Sequence, residues 1–273
     1  MRVHADERDT SEAVVRRLVD EQFPQWASLP LVRAGDGTVN AIFRLGDELS
    51  VRVPRRGEWG DGEEATLARL ARHLPVEIPS FVARGDGFTV HTWLDGALPD
   101  GWLSAGEVAS VILALRAVDA TGAPEPAGGR GRPLAERDEA VRAALTRVDA
   151  PGALELWDAA LRAPEWEHER VWVHCDLDAR NVLVRDGRLS GVLDWSGAGA
   201  GDPALDVMVA WKLVAREERD RFRELVDADD ATWLRAKGWA VSQALIALGY
   251  YTLENYPPLV HEARRWLAEL RSG

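Results

Sequence analysis

The sequence predicts an α+β fold in which a small, mainly antiparallel sheet precedes a larger helical part. Short strand-like apolar segments joined by glycine-bearing links occupy the first part of the chain, roughly to residue 95. From Pro203 onward the apolar residues instead recur with a helical period. A chain of 273 residues that is 46% apolar can form one large domain or two modest ones. We therefore expect two lobes, residues 1–95 and 96–273, with a cleft between them.

The first lobe is expected to contain two helices and several short strands. Thr10 or Ser11 can cap a helix that continues to about Gln22. A second helix is predicted from Asp61 to His73 and is ended by Pro75. The predicted strands are Leu31–Arg33, Ala41–Leu45, Leu49–Val53, Phe81–Arg84 and Phe88–Trp93.

The second lobe is predicted to be mostly helical. Ser104 and Glu107 form a capping box for a helix that continues to about Ala120. Thr121–Pro133 is rich in glycine and proline, which predicts a mobile loop, and Val171–Val173 predicts a short strand. Further helices are predicted over 134–147, 152–162 and 231–252, and from Pro203 with Asp202 as its N-cap.

Charge and composition exclude several classes of protein. The formal net charge of −12 argues against binding to nucleic acid or to an anionic membrane surface. Cys175 is the only cysteine, so neither an intramolecular disulfide nor a zinc site built on cysteines is expected. The first residues lack the apolar core of a signal peptide, and no apolar run is long enough to span a membrane. We expect a cytoplasmic protein.

One segment carries a set of polar residues between two strand-like pieces. His174, Asp176 and Asn181 lie in the link between them, and Asp194 follows a further apolar piece, Val192-Leu193. An Asp and an Asn at opposite ends of a tight loop can face one point. Transfer of a phosphoryl group needs a carboxylate that orients a hydroxyl and oxygen ligands for Mg²⁺. The spacing of these residues suits phosphoryl transfer, whereas a helix cap or a turn residue is the alternative for any one of the aspartates.

The motif His174-x-Asp176-x-x-x-x-Asn181, followed by Asp194-Trp195, resembles the aminoglycoside phosphotransferase family, whose fold is similar to that of protein kinases. The resemblance implies that Asp176 is the catalytic base and that Asn181 and Asp194 bind Mg²⁺. It also implies ATP or GTP as phosphate donor and a nucleotide-binding role for the first lobe. His174 is interpreted as structural support of the catalytic loop. Asp206 has the same expected role, with a solvated charge at a helix start as the alternative.

Two segments of the first lobe resemble nucleotide-binding parts of that family. The loop from Gly35 to Asn40 is similar to its phosphate-covering loop, which points to Gly37, Thr38 and Asn40. The segment around Thr92 and Trp93 is similar to the hinge whose backbone meets adenine. An ordinary strand and turn is the alternative interpretation of this second segment.

The first lobe contains no lysine, although kinases usually hold the α- and β-phosphates with one. The alternation Leu49-Ser-Val-Arg-Val places Arg52 on the face opposite the apolar residues, so Arg52 is the candidate for this role. A solvent-facing arginine is the alternative. Glu63 shares a helix face with Leu67 and is favoured over Glu64 as the partner of Arg52.

Cys175 departs from the family, which commonly has glycine at this position. It can fill a small buried space, and a reactive thiol beside the base is the less favoured alternative.

The resemblance implies that the acceptor is a small, hydroxyl-bearing and cationic molecule such as an aminoglycoside. Carboxylates near the C-terminal helices can meet its ammonium groups or can form a solvated helix face. The macrolides are a less favoured antibiotic class. A metabolic kinase of the choline, amino sugar or homoserine type is the alternative, and a nucleotide-binding pseudokinase is a weaker one. The candidate pocket residues are Glu217, Glu218, Asp220, Asp227, Asp229, Asp230, Trp211, Trp233, Trp239 and the segment 250–256.

Overall fold

The structure is a computed structural model that describes residues 3–4, 6–57 and 62–272. It divides into two compact units. Residues 1–71 and 77–95 form the N-terminal unit, and residues 72–76 and 96–273 form the C-terminal unit. No helix within the described residues has the length and apolar character needed to cross a membrane.

The N-terminal unit is a five-stranded antiparallel sheet with the strand order β1-β2-β3-β5-β4. In chain order its elements are α1 (Glu12–Gln22), β1 (Leu31–Asp36), β2 (Asn40–Leu45), β3 (Leu49–Pro54), α2 (Glu63–Leu70), β4 (Phe81–Gly85) and β5 (Phe88–Thr92).

The core of this unit forms where α1 covers one face of the sheet. Val15 and Val19 lie one helical turn apart and are fully buried. In the sheet, Phe43 of β2 is opposite Val51 of β3, and Val51 is opposite Val90 of β5. All three are fully buried, so the register is set by the apolar face of the strands.

The C-terminal unit is mainly helical and contains two small pairs of antiparallel strands, β6 with β9 and β7 with β8. The helix α8 packs against α4, α5, α6 and α9, and most of its faces are therefore buried. The elements are α3 (Ala105–Arg116), α4 (Asp138–Leu145), α5 (Ala153–Arg162), β6 (Val171–Val173), β7 (Val182–Arg185), β8 (Arg188–Val192), β9 (Gly199–Gly201), α6 (Ala204–Val207), α7 (Arg219–Leu225), α8 (Asp230–Tyr250) and α9 (Pro257–Arg271).

The second helix is shorter than the sequence predicts. Its expected start at Asp61 lies outside the described residues, and α2 ends at Leu70 rather than at His73. The residue that precedes a proline disfavours helical backbone, and Leu74 precedes Pro75. The chain therefore leaves the helix as a turn before that position.

The prediction for α3 was right about Ser104 as the N-cap residue but wrong about the capping box and about the end of the helix. Ser104 is the N-cap, but its side chain makes no capping hydrogen bond, so the box with Glu107 is absent. Instead, the carboxylate of Glu218 accepts the N–H of Ala105 at 2.7 Å. At the other end the helix stops at Arg116 rather than at Ala120, where the N–H of Val118 donates to Leu115 in a tighter turn. The Asp119 side chain then accepts hydrogen bonds from the backbone and hydroxyl of Thr121, an alternative to continued helix.

Two further boundaries differ by a few residues. Gly35 and Asp36, expected in a loop, form the end of β1, where a bulge between Arg33 and Gly35 shifts the register. The helix α6 begins at Ala204 with Pro203 as its N-cap residue rather than at Pro203. The Asp202 carboxylate still accepts the N–H of Ala204 at 2.9 Å, as the capping prediction requires.

Candidate active site

The predicted catalytic loop connects β6 to β7 in the C-terminal unit. Its backbone is held by Asp206, whose carboxylate accepts the N–H of His174 at 2.9 Å and the N–H of Cys175 at 2.8 Å. Asp206 is almost completely buried. Burial raises the pKa of Asp206, although the hydrogen bonds from the two backbone groups and the charge of Arg116 act in the opposite direction. The carboxyl thus serves as an internal acceptor for the loop, rather than as a solvated charge.

His174 occupies the interior of the loop and is fully buried. Its Nδ1 accepts the N–H of Asp176 at 3.3 Å, and its Nε2 lies 2.9 Å from the carbonyl oxygen of Leu193. Because a backbone N–H only donates and a carbonyl oxygen only accepts, the proton of the neutral ring is on Nε2. The ring also packs edge-on against Trp195, with ring centroids 4.6 Å apart. His174 therefore joins Asp176, the predicted base, to the end of the β7–β8 hairpin.

Asn181 and Asp194 lie at the same end of that hairpin. The N–H of Leu193 donates to the carbonyl oxygen of Asn181 at 2.8 Å, which brings the two segments side by side. The Asn181 side chain donates from Nδ2 to the carbonyl oxygen of Asp176 at 2.8 Å, which leaves Oδ1 as the atom that can ligate a metal ion. Asp194 has a left-handed backbone, and its Oδ1 accepts from Ser196 at 2.8 Å.

This donor set fits Mg²⁺. The ion favours oxygen ligands and usually takes one or two protein side chains together with substrate phosphates. Asn181 and Asp194 supply one amide oxygen and one carboxylate. Within the described residues no cluster of three or more His, Cys, Asp or Glu could hold a metal ion by itself. The residues present thus fit an ion that is shared with a nucleotide.

Asp176 itself is partly exposed, and a cation from a distant part of the chain lies beside it. Arg130 Nη2 is 3.7 Å from Asp176 Oδ1, and 27% of the Asp176 side chain is exposed. Burial opposes ionisation of the carboxyl, but the charges of Arg130, Lys212 and Arg180 outweigh it and lower the pKa of Asp176. The predicted base is therefore a carboxylate at neutral pH.

Arg130 is a residue that sequence reasoning missed, because it belongs to the glycine–proline loop (residues 121–133). The loop contains no helix or strand and is tied down by two backbone hydrogen bonds: the N–H of Ala127 donates to Gly197, and the N–H of Ala200 to Pro124. A Cβ at Gly199 in β9 would overlap the carbonyl oxygen of Pro124, so the loop can lie this close to β9 only because residue 199 is glycine. The run of glycine and proline was the available signal, but it predicted only mobility.

Two more residues near the loop were also missed. Lys212 is fully buried, and its Nζ donates to Gln243 Oε1 at 2.5 Å. Gln243 Nε2 in turn donates to the carbonyl oxygen of Cys175 at 2.9 Å. The scarcity of lysine drew attention to the first lobe, but nothing in the local pattern around Lys212 connects it with Cys175.

Cys175 has a φ of 72°, in the left-handed region that favours glycine. This backbone conformation explains why glycine is suited to the position, and a side chain there costs about 1 kcal/mol or more. Burial raises the pKa of the Cys175 thiol well above its ordinary value, and the side chain is fully enclosed. The thiol is therefore protonated and inaccessible, which disfavours the interpretation as a reactive group.

In the N-terminal unit, Arg52 on β3 forms the ion pair expected from the sequence. Its Nη1 lies 2.9 Å from Glu63 Oε1 on α2, whereas Glu64 is exposed on the same helix. Both paired side chains are at least nine-tenths buried, so Arg52 is not a solvent-facing strand residue. Its contact with phosphate stays a prediction.

The loop predicted to cover the phosphates is a tight turn between β1 and β2. The N–H of Gly37 donates to the carbonyl oxygen of Asn40 at 2.9 Å. From outside the turn, Arg55 Nε donates to Gly37 at 2.9 Å, and His4 Nε2 lies 2.8 Å from the carbonyl oxygen of Thr38. Arg55 is buried and also pairs with Glu7 at 3.0 Å. The turn is thus anchored by groups that the sequence motif did not indicate.

In the predicted hinge, the amides of Thr92 and Trp93 donate to residues that directly precede β4 and β3. The N–H of Thr92 donates to Ser80 at 2.9 Å, and the N–H of Trp93 donates to Glu48 at 2.7 Å. A nucleobase would therefore have to meet other backbone atoms here, such as a carbonyl oxygen of these residues or the amide of Leu94. The role of Thr92 and Trp93 stays a prediction.

The carboxylates predicted near an acceptor have structural partners in three cases. Glu218 caps α3, Asp229 caps α8 by accepting the N–H of Thr232 at 2.7 Å, and Asp230 pairs with Arg223. Of the three tryptophans, Trp211 is fully buried against Trp233. Trp239 is buried beside a cavity of about 280 Å³ whose other lining residues include Arg130, Glu165, Trp166 and Glu167.

Comparison with known proteins defines the class to which this fold and loop belong. An antiparallel-sheet unit followed by a helical unit is the kinase-like architecture that the solved structures described below share. Residues 30–239 match the phosphotransferase enzyme family APH, and the chain belongs to that family.

The similarity to an individual curated protein is limited to part of the chain. Over 81 residues the chain is 35% identical to hygromycin-B 4-O-kinase of Escherichia coli, a match that spans 28% of the chain and 24% of that relative. The match therefore covers about a quarter of the curated relative's length.

Solved structures match almost the whole chain in fold. They include ADP-bound aminoglycoside phosphotransferase APH(2″)-Ib, at a TM-score of 0.62 with 17% identity and coverage of 95% of this chain and 98% of that one. Macrolide 2′-phosphotransferase type I matches at a TM-score of 0.66 with 22% identity, and the match covers 94% of this chain and 98% of that one. A thermostable mutant of aminoglycoside phosphotransferase APH(4)-Ia, in complex with AMP-PNP and hygromycin B, matches at a TM-score of 0.62 with 22% identity. The match covers 95% of this chain and 98% of that one. These neighbours confirm the predicted fold.

Proposed function

We propose that this chain transfers the γ-phosphate of ATP or GTP to a hydroxyl group of an aminoglycoside or a similar antibiotic and thereby acts as a resistance kinase. The observation that carries the proposal is the loop in which Asn181 contacts Asp176 and in which Asp206 holds the backbone. Membership of the phosphotransferase family supports the reaction class. The local similarity to hygromycin-B 4-O-kinase supports an antibiotic as acceptor. The cytoplasm is the proposed location.

In the proposed reaction Asp176 accepts a hydrogen bond from the acceptor hydroxyl and takes its proton as the oxygen attacks the γ-phosphorus. The bond between the γ-phosphorus and the β–γ bridging oxygen breaks, and the nucleoside diphosphate leaves. A carboxylate that is already ionised is available for this step. Asn181 and Asp194 would hold Mg²⁺, whose charge neutralises charge on the phosphate oxygens. His174 and Asp206 act on the loop backbone and keep the carboxylate oriented.

The N-terminal unit is proposed to bind the nucleotide. Arg52 offers a planar guanidinium that suits two phosphate oxygens, and its contact with Glu63 limits its orientation. Gly37, Thr38 and Asn40 would cover the phosphates, and the segment at Thr92 and Trp93 would meet the base. Neighbours with ADP, GDP or AMP-PNP bound support a nucleotide site but leave the choice between ATP and GTP to experiment.

A cationic, hydroxyl-bearing molecule is the proposed acceptor. Neighbouring structures contain gentamicin, kanamycin or hygromycin B, and all three are rich in hydroxyl and amino groups. Because Glu218, Asp229 and Asp230 are engaged within the protein, other carboxylates must meet the ammonium groups. Glu165 and Glu167 at the cavity beside Trp239 are available for this purpose, although Arg130 also lines that cavity.

The test is a panel of acceptors offered to the purified chain with Mg²⁺ and either ATP or GTP. The panel contains hygromycin B, gentamicin, kanamycin, a macrolide and a cationic peptide antibiotic, with choline, an amino sugar and homoserine as metabolites. Release of nucleoside diphosphate and a mass gain of one phosphoryl group are measured. We expect an aminoglycoside to be phosphorylated fastest. Turnover of a metabolite alone would contradict the antibiotic assignment, and no turnover with any acceptor would contradict the proposed reaction.

A further inference from the structure

The base position is preceded by a peptide bond that is held on both sides. The N–H of Cys175, which belongs to the preceding peptide, donates to Asp206 at 2.8 Å, and the carbonyl oxygen of Cys175 accepts from Gln243 Nε2 at 2.9 Å. This carbonyl belongs to the same peptide as the N–H of Asp176, which donates to His174. A rotation of that peptide plane would therefore turn the backbone from which the Asp176 side chain leaves.

The left-handed backbone of Cys175 gives the peptide a reason to rotate. A residue with a Cβ prefers negative φ, whereas glycine has no such preference. At a φ of 72° the conformation of Cys175 must be maintained by its surroundings. The hydrogen bond from Gln243 is the contact that holds the carbonyl side.

Lys212 determines which end of the Gln243 amide faces the loop. An amide can rotate by half a turn and exchange its oxygen with its nitrogen. The ammonium of Lys212 can only donate, so at 2.5 Å it fixes Oε1 on its own side and directs Nε2 toward Cys175. Lys212 is itself held in place, because its Nζ lies 4.2 Å from the centre of the Trp266 ring.

We propose that Lys212 and Gln243 are positioning residues that hold the Cys175–Asp176 peptide and thereby set the orientation of the base carboxylate. Lys212 orients Gln243, and Gln243 holds the carbonyl oxygen of Cys175. The expected effect of these residues on kcat rests on the proposed function. The effect on the backbone does not require that function.

Isosteric variants test each contact. Gln243→Glu keeps the acceptor for Lys212 but has no N–H for Cys175, and Lys212→Met removes the ammonium from a side chain of similar length. Matched controls are Gln25→Glu at an exposed position and Lys237→Met at the chain's other lysine. We expect both test variants to lower kcat by about tenfold or more while the KM for nucleotide stays within roughly twofold, because misplacement of a reacting group slows the chemical step. Both controls should stay within about twofold of the parent.

Cys175→Gly provides a readout that general destabilisation would not reproduce. Glycine accepts the left-handed backbone without support, so Gln243→Glu should cost several times less in kcat when it is combined with Cys175→Gly than when it is made in the parent. An equal loss in both backgrounds, or a kcat of Gln243→Glu within about twofold of the parent, would overturn the proposal.

Hydrogen exchange of the amides at residues 174–176 separates this proposal from the proposed function. We expect exchange in Gln243→Glu to be faster by about tenfold, and less so when Cys175 is replaced by glycine. If the parent chain phosphorylates no acceptor but this exchange pattern is found, the proposed function fails and the positioning role is supported. If exchange is unchanged in both test variants, the positioning role is overturned whether or not the chain is active.

Discussion

Arg52 and Glu63 are charged side chains enclosed within the N-terminal unit. Their exposed fractions are 9% and 7%, and their nitrogen–oxygen distance is 2.9 Å. Removal of one member of such a pair leaves the other as an uncompensated buried charge, whereas loss of both costs much less. We therefore predict that a change at Arg52 affects both stability and phosphate binding, and that the two effects can be separated by changing Glu63 as well.

We predict that Arg52→Met lowers the free energy of unfolding by about 3 kcal/mol and weakens nucleotide binding by about tenfold or more. The double variant Arg52→Met/Glu63→Gln should recover most of the stability but none of the nucleotide affinity. Urea unfolding and titration calorimetry with a nucleotide measure the two quantities. Unchanged nucleotide affinity in the double variant would show that Arg52 does not bind phosphate.

His91 on β5 is a second buried ionisable residue of the N-terminal unit. It is 1% exposed, and its Nε2 lies 3.0 Å from the hydroxyl of Thr89. Burial lowers the pKa of His91 to about 3, and the charges of Arg52 and Arg84 act in the same direction. The folded protein thus keeps this ring neutral at pH values at which the unfolded chain protonates it, since an unperturbed histidine has a pKa of about 6.5.

This difference predicts a loss of stability in acid. Because the unfolded state binds the extra proton, the contribution of His91 falls as the pH drops below about 6.5 and continues to fall toward the folded pKa. Between pH 7 and pH 5 the loss amounts to about 2 kcal/mol. Urea unfolding of the parent and of His91→Gln at both pH values isolates the contribution of His91 to the pH dependence of stability. If the two proteins lose the same free energy between pH 7 and pH 5, the ring is not held neutral.

Among the structural elements, the glycine–proline loop depends most directly on a glycine, because it packs against the position where Gly199 has no Cβ. Its backbone lies against β9, where a Cβ at Gly199 would overlap the Pro124 carbonyl oxygen and approach the Pro126 nitrogen to 2.7 Å. The same loop carries Arg130, the cation beside Asp176. The fit of this loop therefore affects the surroundings of the predicted base.

Gly199→Ala should displace the loop and lower the free energy of unfolding by about 1–3 kcal/mol, the usual cost of overpacking. Gly106→Ala in α3 is the matched control, because a Cβ there meets only the Ser104 hydroxyl at 3.7 Å. Alanine is a better helix former than glycine, so this control should stabilise by roughly 0.5 kcal/mol. Thermal or urea unfolding of both variants measures the effects. Equal stability of Gly199→Ala and the parent would mean that the loop does not need the close approach.

For the molecule as a whole, local pattern was sufficient for most elements and for the outline of the site. Alternation along Leu49–Val53 predicted β3, and helical spacing in α2 selected Glu63 over Glu64. The spacing of Asp176 and Asn181 predicted that they face one point from opposite ends of a tight loop, and in the structure Asn181 Nδ2 donates to the carbonyl oxygen of Asp176 at 2.8 Å. In each case the residues that interact are close in sequence or repeat with a regular period.

Contacts between distant residues could not be predicted in this way. Glu218 caps α3 from 113 residues away, and Gln243 reaches Cys175 across 68 residues. Arg130 reaches Asp176 from a loop whose composition predicts only the absence of regular structure. Such pairs depend on how the helices of the C-terminal unit pack, and no periodicity along the chain records that packing.

The most direct test of the account is the rate of a single turnover of phosphoryl transfer in Asp176→Asn. Asparagine has nearly the same shape but cannot accept the hydroxyl proton, and Asp186→Asn at an exposed turn is the matched control. With an acceptor that the parent phosphorylates, we predict that Asp176→Asn is slower by about a hundredfold or more, while the control stays within about twofold. Transfer by Asp176→Asn at the parent rate would contradict the assignment of Asp176 as the base.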